Sequence, residues 1–248
     1  MRIICVLFLL RPERISGFDC PSHARSGSSY RSFISKTSIA YSMNIQKDSR
    51  AFVKSLHYIS GVTLSVFIAF HLFNHLFALD GPDKHIQIMD QFRRVYRHPV
   101  VETFLLLVVL FQIVSGIRLI YKRHAQTVAE KIQVYSGLYL SFFLIAHVGA
   151  VLSARYIEHL DTNFYFAAAG LNYYPATFIF IPYYFLAVAS ISLHVSAIHY
   201  LKTKSQVMAV SIAIIGLSTS FVLIVAFTNS FQWFDMPIPY EKFIRSLF

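Results

Sequence analysis

Residues 60–71, SGVTLSVFIAFH, and residues 136–147, SGLYLSFFLIAH, are two copies of one pattern. Ser-Gly opens each copy; Leu and Ser stand at the fifth and sixth places, Phe at the eighth and His at the twelfth. Both copies lie inside long runs with almost no charge, the mark of a transmembrane helix. A histidine inside such a helix is costly and needs a reason. Two of them, His71 and His147, delivered by matching segments, point to a ligand held between two helices.

The rest of the chain carries the same membrane signature. Its 248 residues are 56% hydrophobic and 14% charged, with a mean hydropathy of +0.54, whereas soluble domains carry about 25% charge. A soluble helical core needs polar helix faces for water, and the apolar runs leave almost none. The predicted fold is therefore all-α: a polytopic membrane protein with five transmembrane helices, at about 58–79, 100–121, 133–154, 175–200 and 206–228. The net charge of +10 gathers at the ends of these runs, where basic residues set topology. The lipid bilayer, and not nucleic acid, is the partner this implies. Lys and Arg in the short loops favour the N-terminus inside and the C-terminus outside.

Outside the spans the sequence is more varied. Residues 1–42 are rich in Ser and Arg, and Met43 begins a natural N-terminus, MNIQKDSRAF. The extension reads as disordered: a transit peptide, a poor signal peptide, or translated sequence upstream of a true start at Met43. Asp80-Gly81-Pro82-Asp83 stops the first span. Between Lys84 and Arg97, IQIMDQFRRVY suits an amphipathic helix at the interface. Pro99 opens the second span, where proline is tolerated. A longer loop with the aromatic run Phe164-Tyr165-Phe166 follows the third, and a short tail with Pro237 and Pro239 ends the chain.

The two cysteines, Cys5 and Cys20, precede the membrane region and form no CxxC pattern. The chain thus supplies no iron–sulfur site, covalent haem attachment or disulfide framework. It has eleven histidines instead. Spans one and three run in the same direction, and His71 and His147 lie about fourteen and fifteen residues into them, roughly 20 Å from the inner edge at about 1.5 Å per residue. Two imidazoles at one depth on neighbouring helices can ligate a haem iron from opposite faces. His75, one turn beyond His71, is either the ligand in its place or a hydrogen-bond donor to a propionate. His194 lies near the inner end of span four. His57, with Lys54 and Ser55, reads as an interfacial residue or part of a quinone site. His85, His98, His124 and His159 fall in connecting segments and carry no assigned role. The pairs Ser60-Gly61, Ser115-Gly116 and Ser136-Gly137 allow close approach by a helix or a flat macrocycle.

From residue 56 to 228 the chain resembles the cytochrome b membrane-anchor subunit of succinate dehydrogenase and fumarate reductase, in its single-chain, five-helix form. The likeness rests on five spans, LHYISG before the first, HLFNH near its end, and YSG followed by IAH in the third. It implies b haems held between the first four helices, one by histidines of spans one and three, the other by histidines of spans two and four. His71 and His147 match the first pair and His194 the span-four position; the span-two position is Gln112, in LFQIVSG. Glutamine is a poor iron ligand, so one haem b is expected and a second is not. The resemblance further implies flavoprotein and iron–sulfur partner subunits, quinone as electron partner, and a bacterial inner membrane (a mitochondrial one if 1–42 is a transit peptide). No catalytic residues are expected in this chain, which has no flavin or nucleotide fingerprint. Two other readings stay open: a stand-alone b-type haem electron-transfer protein, and a haem-free helical anchor or carrier.

Overall fold

The computed structural model describes residues 27–121 and 125–247; of residues 27–48 and 50 it describes only the backbone. Among the described residues every regular element is helical: α1 (Gly27–Leu76), a 3-10 turn (Phe77–Asp80), α2 (Pro82–Tyr96), α3 (Pro99–Tyr121), α4 (Val128–Tyr156), α5 (Phe164–Asn172), α6 (Thr177–Thr203), α7 (Gln206–Phe227) and α8 (Ile238–Arg245). The chain divides into two units, 1–49 and 50–248. Of the extension, 1–26 lies outside the described residues, and the backbone is helical from Gly27.

Five stretches are long and apolar enough to cross a membrane: Ala51–Asp80, Pro99–Tyr121, Val128–Tyr156, Thr177–Thr203 and Gln206–Phe227. They coincide with the five spans expected. Large apolar side chains cover their outer faces, among them Phe70, Leu107, Leu110, Ile145, Ile215 and Phe221. A water-soluble monomer rarely exposes a continuous apolar belt of this kind; facing lipid, it is at home. The protein is an all-helical integral membrane protein.

Local sequence sets the helix boundaries. Gly81 sits at φ +95°, a conformation glycine tolerates, and Pro82 begins α2 directly after it. Thr127 and Glu130 form a capping box at the start of α4. Ser205 caps α7 after a turn in which Lys204 adopts the left-handed conformation.

Helix α2 is amphipathic, as its sequence predicts. His85 and Met89, four residues apart, form its buried stripe, which faces the end of the bundle. Two further helices correct the sequence reading. The loop after Arg155 folds in part into α5, which buries Phe164, Ala168 and Leu171 against Ala78, Ile224 and Phe227. Its sequence, FYFAAAGLN, is apolar nearly all round and too short to span a membrane, so neither period nor length gave it away. The C-terminal tail contains α8, whose Tyr240 and Ile244 pack on Ala169 and Ala176. Tyr240 also donates from its hydroxyl to the Asp161 carbonyl at 2.9 Å.

Helix α6 packs closely along α4 and α7. Gly216 of α7 allows this: a Cβ there would overlap Ser192. The 51–76 stretch of α1, and α3, stand further off. Between them and α4, α6 and α7 lies a cavity of about 1030 Å³, at the top of the ~300–1,000 Å³ usual for small-molecule sites. A space of that size can hold a ligand or lipid tails.

Candidate cofactor site

The repeated sequence becomes a repeated local structure. Ser65 donates to the Gly61 carbonyl at 2.8 Å, and its counterpart Ser141 to the Gly137 carbonyl at 3.0 Å. The shared Phe and His fall four residues apart, on one helix face. Phe67 stacks on His71 with ring centroids 5.7 Å apart and planes at 17°; Phe143 stacks on His147 at 5.0 Å and 13°. Each imidazole is thus backed by the phenyl ring of its own copy. The two imidazoles meet across the cavity with centroids 6.2 Å apart and planes at 68°. Metal–nitrogen bonds of about 2.0 Å on either side of one ion give a centroid separation of roughly 6 Å. That separation leaves room for one ion between the rings, while His71 Nε2 lies 3.1 Å from His75 Nε2.

A bare metal ion usually needs four or more ligands, and no group of three or more His, Cys, Asp or Glu among the described residues is arranged to hold one. Iron in a porphyrin asks only two axial ligands of the protein. The donor set at His71 and His147 fits that group, and the adjoining cavity is apolar over most of its wall.

His75 lies beside this pair. Its Nε2 is 3.1 Å from His71 Nε2, and its Nδ1 is 3.0 Å from His85 Nε2. Asn74 Nδ2 is 3.3 Å from that same His85 nitrogen. His85, which the sequence reading left without a role, is almost fully buried beneath Phe164 and Phe227. Burial, with the nearby His71 and Arg93 charges, pushes its pKa down to about 4, so it is neutral at physiological pH. The available signal was the spacing of His85 and Met89, which puts both on the inward stripe of α2. His98 and His159 make no contact with this cluster, and His124 lies outside the described residues.

Guanidinium groups gather at the same end of the cavity. Arg155 of α4 pairs with Glu102 of α3, both side chains about one-fifth exposed. Arg97 donates to Thr162 at 2.7 Å, and Arg93 bridges to Asp161 at 3.0 Å. Burial and the neighbouring Arg93 and Arg155 charges lower the pKa of Arg97. Arg97, Arg155, His71 and His147 line one cavity. Crowded guanidiniums in a half-buried place suit carboxylates.

The opposite end holds a second polar network. His57 Nδ1 is 2.8 Å from Ser115 Oγ, which itself donates to the Phe111 carbonyl at 2.7 Å. Gln112 Nε2 is 3.3 Å from His57 Nε2, and Ser60 donates to Gln112 Oε1. His194 of α6 places Nδ1 3.0 Å from the Gln133 carbonyl and 3.2 Å from Ser136 Oγ. Of the candidate residues, then, the fold joins His71, His147 and His75 and sets His194 apart with Ser136. His57, read as interfacial or as part of a quinone site, is bonded into the wall between α1 and α3.

Comparisons with protein-family models, with curated proteins and with solved structures find no match for this chain. Geometry and chemistry alone carry the functional reading.

Proposed function

We infer that this protein is a membrane-anchoring cytochrome b-like subunit of a succinate dehydrogenase or fumarate reductase-type complex. It would carry electrons between partner subunits and quinone, with His71 and His147 the residues that would hold one b haem. The carrying observation is the pair of imidazoles 6.2 Å apart, each backed by the Phe of its own repeat, on the wall of a large apolar cavity.

When bound, haem supplies reversible one-electron chemistry, and the protein tunes its potential through ligand, burial and hydrogen bonding. The chain's own groups have distinct tasks. Phe67 and Phe143 fix the ring planes of the ligands. Arg97 and Arg155, which line the cavity, would offer cations to the carboxylates of a bound haem. His71 has to release His75 in order to ligate through Nε2, which leaves His75 able to donate to a carboxylate. The α2/α5 end of the bundle faces outside and the opposite end inside, in a bacterial inner membrane. Flavin and iron–sulfur chemistry belong to partner subunits on the inner side.

A second reading, a haem-free anchor, is favoured by the His71–His75–His85 chain, which pairs the Nε2 atoms of His71 and His85 with His75 without a ligand. Purification in mild detergent followed by a reduced-minus-oxidised spectrum separates the readings. The proposal expects b-type bands and co-purifying flavin and iron–sulfur subunits. Bands without those subunits indicate a stand-alone b-type electron-transfer protein. Absence of bands from well-folded protein grown with ample haem rules the haem reading out.

A further inference from the structure

We propose that the His57 end of the cavity is a lipid site. The headgroup phosphate of an anionic phospholipid sits between Lys54 and Lys202, and an acyl chain enters the cavity through the seam between α1 and α6. The site lies at the end of the cavity away from His71 and His147, and its occupancy does not depend on haem.

The two ends of the bundle balance their charges differently. At the His71 end the guanidiniums that line the cavity have carboxylates beside them: Arg155 pairs with Glu102, and Arg97 lies 3.7 Å from Asp161. At the His57 end, Lys54 of α1 and Lys202 of α6 line the same cavity. Among the described residues no carboxylate pairs with either ammonium. The Glu130 carboxylate, at the same end, accepts from the Gln126 and Thr127 N–H groups at the start of its own helix.

Lys202 turns across to α1, where its Nζ lies 4.1 Å from the centroid of the Tyr58 ring. At an exposed place such a cation–π contact is weak, so an anion can take the ammonium from the ring. Just inside, His57, Ser115, Gln112 and Ser60 bond to one another. Their bonding capacity is used within the wall, and the two lysines are left to meet a ligand.

The seam gives a chain its way in. Helix α6 packs along α4 and α7, and no such backbone packing joins it to residues 51–76 of α1. Tyr58 and Val62 of α1 and Val195 of α6 line the cavity and are 55%, 49% and 40% exposed. Packing therefore does not close the cavity along this seam. Most of the wall behind it is apolar. A small soluble anion would meet the lysines and leave that wall bare. An amphiphile satisfies both, with methylenes in the cavity and the phosphate at its mouth. Lysine stems lie along apolar surface while their ammonium groups reach the headgroups, and each lysine near the membrane surface raises affinity for anionic lipid about fivefold.

The test uses the full chain in nanodiscs of dioleoylphosphatidylcholine with added dioleoylphosphatidylglycerol. The two lipids have the same chains and differ in headgroup charge. Native mass spectrometry after release counts the lipid each protein retains. Wild-type protein is expected to keep one phosphatidylglycerol per chain in preference to phosphatidylcholine. Lys54→Ala and Lys202→Ala should each weaken that retention about fivefold, and Lys202→Arg should preserve it. Lys131→Ala, at the same end but off the cavity wall, should change it less than about twofold. Circular dichroism of each variant reports its fold. A phosphatidylglycerol with a diazirine in its acyl chain should cross-link to Leu140 and Ile198, which line the cavity. Equal retention of the two lipids, or unchanged retention in both alanine variants, overturns the site. Cross-links confined to outward residues such as Leu110 and Val210 also overturn it, and are the result expected of ordinary annular lipid. Displacement of the phosphatidylglycerol by equimolar oleate would assign the lysines to a fatty-acid carboxylate and overturn the phospholipid assignment.

Discussion

The ion pair between Arg155 and Glu102 joins α4 to α3 at the cofactor end of the bundle, and its removal has a calculable cost. Both side chains are about one-fifth exposed. Fully exposed pairs contribute ~0–1 kcal/mol, while orphaning one partner of a buried pair costs ~3–5 kcal/mol. At this exposure, Arg155→Gln should destabilise by about 2–4 kcal/mol, nearer the buried limit. The reverse change should cost less, because the two orphans differ. Arg155 keeps the Tyr156 ring 5.1 Å from its guanidinium carbon, a cation–π contact. Glu102 loses the cation beside it in the bundle wall. Glu102→Gln is therefore expected to cost about 1–2 kcal/mol, in line with loss of a charged hydrogen bond. The double variant should be less damaged than the sum of the singles, with a coupling of about 2 kcal/mol within the usual range for contacting residues. Reversible unfolding in mixed micelles, followed by circular dichroism on all four proteins, measures the cycle. A coupling below about 0.5 kcal/mol, with equal small losses in both single variants, would mean solvent screening and refute the partly buried placement.

Other expectations follow from the packing and the protonation. Gly216→Ala should destabilise by ~1–3 kcal/mol through overlap with Ser192; Ser192→Gly in the same chain should recover most of the loss, as thermal unfolding will show. His85 has a folded pKa of about 4 against ~6.5 unfolded. Between those values the unfolded state binds the extra proton, so the His85 contribution is complete above pH 6.5 and falls away toward pH 4. The change is about 3 kcal/mol, and His85→Gln should flatten that part of a stability–pH curve. A curve of unchanged slope in the variant would contradict the buried neutral state. Gly137→Ala should leave stability within ~1 kcal/mol of wild type, since alanine favours the helix. A Cβ there would lie 3.1 Å from His194 Cε1, so a loss well above that in thermal unfolding would mean the His194 ring cannot give way.

The spans were legible because lipid imposes a coarse rule, and each run from Ala51–Asp80 to Gln206–Phe227 satisfies it by length and composition. The His71–His147 pairing was legible for a different reason: a repeat places equivalent side chains at equivalent depth. Helix α5 escaped because a short, uniformly apolar segment has no period to read. His85 escaped because a polar residue in a connecting segment reads as solvated, until Phe164 and Phe227 are seen to close over it. The substitution at Gln112 looked like the loss of a ligand, because a family pattern was compared position by position. In the fold Gln112 is bonded to Ser60 and His57, a network that position-by-position comparison does not show.

The central claim is that His71 and His147 hold a haem between them. Its most direct test is the reduced-minus-oxidised spectrum of the purified protein beside those of His71→Ala and His147→Ala, with haem content measured on the same samples. The predicted result is a set of b-type bands in the wild type and the loss of one and the same haem in both variants. A folded wild type without bands, or variants that keep the full haem content, would contradict it.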